Sequence, residues 1–154
     1  MTRAVLVHGG EVRYVQNISV GHHLLQADEP SEAGGRDAGP DPYELLLSAL
    51  GACIGITLRM YADRKKWPLE SVQVQLSYGR VYADDCATCA GELKLTNAIE
   101  VHLKLIGDLS EDQRRRFKEI AEKCPVHRTL TSPIQIRTFL AAPLSRTGFA
   151  SHSD

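Results

Sequence analysis

The feature that most constrains this chain is a near-continuous apolar run, Leu45 to Leu58, 14 residues broken only by Ser48, Thr57 and two glycines. It falls short of the ~20 residues a membrane span needs. It is too long for an ordinary strand, so it reads as a helix. Asp41 suits the N-cap and Pro42 the first helical position. Glu44 falls in the first turn, where the helix dipole favours an anion. The helix is expected to run to about Arg64. Its middle is apolar on every face, which predicts burial on every side. Gly51 and Gly55 weaken a helix but let a neighbouring element come close. A chain of 154 residues has little surface with which to cover such a helix alone. The expectation is therefore a homodimer whose second copy supplies part of the cover.

Strand patterns flank the helix. Ala4–Val7, Glu11–Val20 and His22–Ala27 read as three strands, with turns at Gly9-Gly10 and Gly21. Residues 28–41 form a long loop rich in Pro, Gly and acids. Ser71–Tyr82 and Ala98–Ile106 alternate cleanly and predict two half-buried strands. Ser110 to Gln113 fits a capping box. Phe117, Ile120, Ala121 and Cys124 follow with helical spacing until Pro125 ends the helix. Ile134–Leu140 reads as a last strand. Strands clustered at hairpin spacing argue for an α+β fold with mainly antiparallel sheets. Residues 1–140 read as one domain and 141–154 as a frayed tail.

A net charge of −1 and a pI near 6.6 give no footprint for nucleic acid or acidic lipid. Met1–Gly10 lacks the pattern of a secretory signal, so the expected location is the cytoplasm. Four cysteines there should be mainly reduced, which puts redox or metal roles ahead of a disulfide framework.

Cys53 lies inside the apolar helix. By spacing alone it reads first as an inert core thiol and second as a reactive one. Cys124 lies at the C-terminal end of the second helix, where the dipole disfavours a thiolate, but His127 and Arg128 follow it closely. Cys86 and Cys89 form a CxxC on a polar tip beside Asp84 and Asp85, whose charge raises a thiol's pKa. Cys86, Cys89, Cys124 and His127 also match the donor types of a Cys3His zinc site, though spacing alone is a weak argument for it. Arg114–Arg116 read as a solvated helix face, Met60, Tyr61 and Trp67 as core, and His8, His102 and His152 as surface. His22-His23 fit a hairpin turn.

Two segments in combination go further. GPDPYELLLSALGACIGITLRMYA, followed some seventy residues later by CPVHRTL, resembles the OsmC/organic-hydroperoxide-resistance family. The likeness extends through DDCATC and GDLSEDQRRRFKEIAEKC to the final IQIRT, with the finer similarity to an OsmC-like branch carrying a DCxxC loop. It implies an interlocked homodimer with long central helices and two equivalent sites at the interface. It also implies reduction of organic hydroperoxides by a cysteine pair, with Cys53 matching the peroxidatic residue and Cys124 the resolving one. An arginine on an early strand holds the thiolate in that family, and Arg13 is the nearest match, with Arg36 as a fallback. The family's glutamate directly after the helix-opening proline is Tyr43 here. The carboxylate comes one residue later, at Glu44, about 100° around the helix.

The mechanism so implied needs no cofactor. Cys53 thiolate attacks the peroxide, Cys124 resolves the sulfenic acid, and an external dithiol restores both. Two other readings stay open. One is a fold relative without turnover, a thiol sensor or a binder of apolar small molecules. The other is a zinc-binding structural protein.

Overall fold

The computed structural model describes residues 4–82 and 95–140. The chain opens with a three-stranded antiparallel sheet, β1 (Leu6–Gly9), β2 (Gln16–Val20) and β3 (His23–Ala27), in that spatial order. Val20 pairs with His23, leaving the two-residue turn Gly21-His22, and Gly21 takes φ 62°. A tight hairpin needs that left-handed geometry, which glycine adopts without strain. The second strand starts later than the alternation suggested. Residues 11–15 form a turn closed by the Val15 N–H on the Val12 carbonyl at 3.2 Å. Arg13 therefore sits on a turn and not on a strand.

The loop from residue 28 is organised by one carboxylate. Asp28 is buried and accepts backbone N–H bonds from Glu29 (2.9 Å), Arg36 (2.9 Å) and Ala38 (3.2 Å). Burial pushes its pKa up, but these three donors and the Arg36 charge outweigh it, and the net direction is down. A short 3-10 turn at Ser31–Ala33 completes the loop.

Helix α1 (Pro42–Lys65) then starts from a complete capping box. Asp41 Oδ1 accepts the Glu44 N–H at 2.8 Å, and Glu44 Oε2 accepts the Asp41 N–H at 2.9 Å. The helix lies across an antiparallel pair, β4 (Ser71–Tyr82) and β5 (Leu95–Ile106). In their register Val72, Val74 and Leu76 stand opposite Leu105, Leu103 and Val101, so the apolar alternation of both strands turns toward α1. Helix α2 (Glu111–Ala121) begins with the expected Ser110–Gln113 box. It packs Phe117, Ile120 and Ala121 into the core formed by Leu50, Ile54, Leu58, Tyr61 and Ala62 of α1. Phe117 has no exposed surface, and the edges of Tyr61 and Trp67 meet it at centroid distances of 6.1 and 5.3 Å. Phe117→Ala is expected to cost about 3–5 kcal/mol, as large-to-small changes at closed aromatic sites do; chemical denaturation is the check.

Several expectations are corrected. Helix α2 stops at Ala121, and Pro125 opens a new helix, α3 (Pro125–Leu130). No strand forms over residues 134–140, where the side chains are exposed. The alternation there is real, but among the described residues no strand pairs with it. Met60 of helix α1 is not in this chain's core: it is 67% exposed, and Ile56, one turn before it, is 61% exposed. Gly51 does allow close approach, since a Cβ there would lie 2.8 Å from Leu76 Cδ1, but the space beside Gly55 is open. Of the three arginines, Arg115 is on the surface beside Asp112. Arg114 is spent on the Leu105 and Gly107 carbonyls, and Arg116 on Tyr61 Oη and Glu119. Cys86, Cys89 and the tail 141–154, with His152, lie outside the described residues.

Candidate thiol site

Cys53 comes from the middle of α1 and is half-buried against the core. Cys124 comes from the break between α2 and α3. The chain turns there through Lys123 N–H on the Ile120 carbonyl (3.0 Å) and Cys124 N–H on the Ala121 carbonyl (3.2 Å). Pro125 then takes the first helical position, where its missing N–H costs nothing. Cys124 becomes the N-cap of α3, extended at φ −62°, ψ 146°, and its Sγ accepts the His127 N–H at 3.3 Å. Helix α3 packs on α1, which brings the Cys124 thiol near enough to the Cys53 thiol for Cys53 to perturb it electrostatically. Both are free thiols.

Burial pushes the Cys124 thiol up. The His127 and Val126 N–H groups pull the other way, and the neighbouring Cys53 adds to the upward push. The net direction is up, so Cys124 is a neutral thiol at physiological pH. The sequence placed this residue at a helix C-terminus, which disfavours a thiolate. The structure puts it at an N-terminus, yet burial decides the outcome.

Arg13 and Glu44 are not at this pair. The Arg13 guanidinium lies over the Tyr14 ring, 4.8 Å from its centroid, at the surface. Glu44 is engaged in the capping box. Among the described residues no hydrogen bond or ion pair joins Arg13 to Glu44, or either to a thiol. Arg36 is exposed, with its backbone N–H on Asp28. Tyr43 stacks on Tyr78 of β4 at a centroid distance of 4.5 Å, tying the start of α1 to the sheet. Among the described residues no three His, Cys, Asp or Glu side chains are grouped to hold a metal ion. Two of the four candidate zinc donors, Cys86 and Cys89, are outside those residues.

One functional group was underrated in the sequence. The Nδ1 of His127 is buried and has no hydrogen-bond partner. The imidazole borders a cavity of about 220 Å³ lined also by Ile54, Ile99, Val101, Leu103, Lys118, Ala121 and Glu122. Its position three residues after an N-capping cysteine was the available signal.

Residues 34–139, well over half the chain, match the family described as OsmC-like protein. The chain belongs to this family. The organic hydroperoxide resistance protein OsmC of Legionella pneumophila superposes with a TM-score of 0.61 at 20% identity, covering 85% of this chain and 90% of that one. An OsmC-like protein from Mycoplasma pneumoniae gives 0.62 at 20% identity, over 84% and 87% of the two chains. The organic hydroperoxide resistance protein OhrB of Bacillus subtilis gives 0.57 at 17% identity, over 85% and 91%. Comparison with curated protein sequences yields no significant match. At these identities the superpositions establish the OsmC-like α+β fold with its antiparallel sheets. Within that fold this chain brings two free thiols, Cys53 and Cys124, near one another.

Proposed function

We propose that this OsmC-like chain is a cysteine-based peroxidase that reduces organic hydroperoxides in oxidative-stress defence, acting in the cytoplasm as a homodimer without a cofactor. The observation that carries this reading is the nearness of the Cys53 and Cys124 thiols, close enough for one to perturb the other. It gains weight from relatives of the same fold named as organic hydroperoxide resistance proteins.

The chemistry follows from the pair. Cys53 thiolate attacks the distal peroxide oxygen, the O–O bond breaks, and the alkoxide leaves as alcohol after taking a proton. The Cys53 sulfenic acid condenses with Cys124, releasing water and forming the disulfide. An external dithiol then reduces that disulfide by exchange. Apolar neighbours suit an alkyl hydroperoxide better than a small hydrophilic one.

A nearby cation favours the thiolate form of a cysteine, and we assign that role to Arg13. Arg13 is not at the thiol pair of its own chain, so in this reading it serves the thiol pair of the second copy in the homodimer. Glu44, with one oxygen held in the cap, is assigned as the carboxylate beside that arginine. A reading without turnover draws on the same engagement of Glu44, since a carboxylate committed to a cap contributes less to a guanidinium.

Consumption of an alkyl hydroperoxide with a dithiol reductant tests the proposal. Wild type is expected to turn over, and Cys53→Ser to fall to the uncatalysed rate. Equal rates for the two proteins would sink the peroxidase reading.

A further inference from the structure

We propose that His127 is the proton acceptor for Cys124 in the step that closes the Cys53–Cys124 disulfide. The physiological setting rests on the peroxidase reading; the proton transfer itself does not.

The argument begins with the orphaned ring nitrogen. Buried polar atoms in native proteins are nearly always hydrogen-bonded, and an exception needs a reason. Among the described residues His127 Nδ1 is the buried side-chain nitrogen or oxygen with no such partner. The residue is not remote from the thiols. Its backbone N–H already holds Cys124 Sγ at 3.3 Å, and a spacing of three along α3 places the two side chains on one side of the helix. The cavity beside His127, about 220 Å³, gives the ring room to reorient.

The chemistry requires such a group. Burial, reinforced by Cys53, keeps Cys124 protonated at neutral pH, and only the thiolate attacks. As the S–S bond forms, the S–O bond of the Cys53 sulfenic acid breaks. The Cys124 proton passes to His127 and then to the departing hydroxide, which leaves as water. Atoms and charge balance with no further reagent. Arg128, next on α3, cannot accept a proton. Lys118 of α2 and Glu122, just past its end, are the charged residues that border the same cavity. The cavity-lining residues from α1 and β5, namely Ile54, Ile99, Val101 and Leu103, carry no charge.

Single-turnover kinetics provide the test in two arms. In the first, an alkyl hydroperoxide oxidises Cys53, and sulfenic acid and disulfide are timed separately. In the second, Cys53 is loaded with an aryl disulfide, and attack by Cys124 releases a coloured aryl thiolate while its proton goes to His127. In His127→Gln, disulfide closure is expected to slow by about 100-fold, the scale of a lost general base, with sulfenic acid formation unchanged. The wild-type closure rate should rise with pH through an inflection that the variant lacks. His127→Ala should be slow as well, and added imidazole should restore it, which a merely structural role would not allow. Closure within about twofold of wild type in both variants would overturn the inference, as would slow closure with an unchanged pH profile and no response to imidazole. If wild type ignores hydroperoxide, the peroxidase reading fails, and the aryl disulfide arm still decides on His127.

Discussion

Cys124→Ser is expected to oxidise Cys53 at the wild-type rate and then fail to stop there. The serine hydroxyl is a good N-cap acceptor, so the His127 N–H keeps a partner and α3 keeps its start. What is lost is the second nucleophile. A thiol held against Cys53 acts at an effective concentration on the order of 10⁵ M. Millimolar external thiol cannot replace it, and resolution of the sulfenic acid should slow by at least ~100-fold. Excess hydroperoxide then carries Cys53 to sulfinic acid, a step on the ladder that dithiols do not reverse. Intact-mass measurement should show two oxygens added to the variant, while wild type halts at a disulfide two hydrogens lighter. If the variant is recycled at the wild-type rate with no over-oxidation, Cys124 is not the resolving residue.

Wild type is expected to scatter light as a species of twice the 17.0 kDa chain mass, and Ile56→Asp to fall to a monomer without peroxidase activity. Ile56 and Met60 lie one turn apart on the open side of α1, and the gap beside Gly55 adjoins them. On the N-terminal sheet Leu6 and Leu24 are 68% and 79% exposed. So much apolar surface in one chain argues for a second copy against it. An aspartate buried there without a partner costs several kcal/mol, enough to dissociate most dimers in the micromolar range. Circular dichroism should show the helices retained, because Ile56 contributes nothing to the chain's own core. A wild-type protein that stays at 17.0 kDa at micromolar concentration would refute the dimer.

The same open faces explain what could and could not be read in the sequence. Apolar periodicity reports that a residue wants cover, not which chain supplies it. Met60 was therefore expected in the core, and residues 134–140 were expected to pair as a strand. Features written in local chemistry were legible. Asp41, Pro42 and Glu44 start α1 where they should, the Ser110 box starts α2, and the alternations around Val74 and Leu103 form the β4–β5 pair. The proximity of the two thiols was accessible only through the family resemblance. Nothing local marks the break at Glu122–Lys123 that swings Cys124 from the end of one helix to the cap of the next. Glu44 shows the converse limit, since a carboxylate in a first helical turn serves a cap or a guanidinium with the same side chain.

The Asp28 clasp gives the chain an acid-labile joint. Three backbone donors of the loop converge on one carboxylate whose pKa lies below its usual value, so the unfolded chain takes up that proton first as pH falls. The stabilisation is complete above the ordinary aspartate value of about 4 and drains away as pH falls through the lower folded value. The loop so held is the link between β1–β3 and α1. The α1–α2 core contains no carboxylate among its buried residues. Acid below about pH 4 therefore acts on the joint, freeing the Arg13-bearing sheet to drift while the α1–α2 core stays packed.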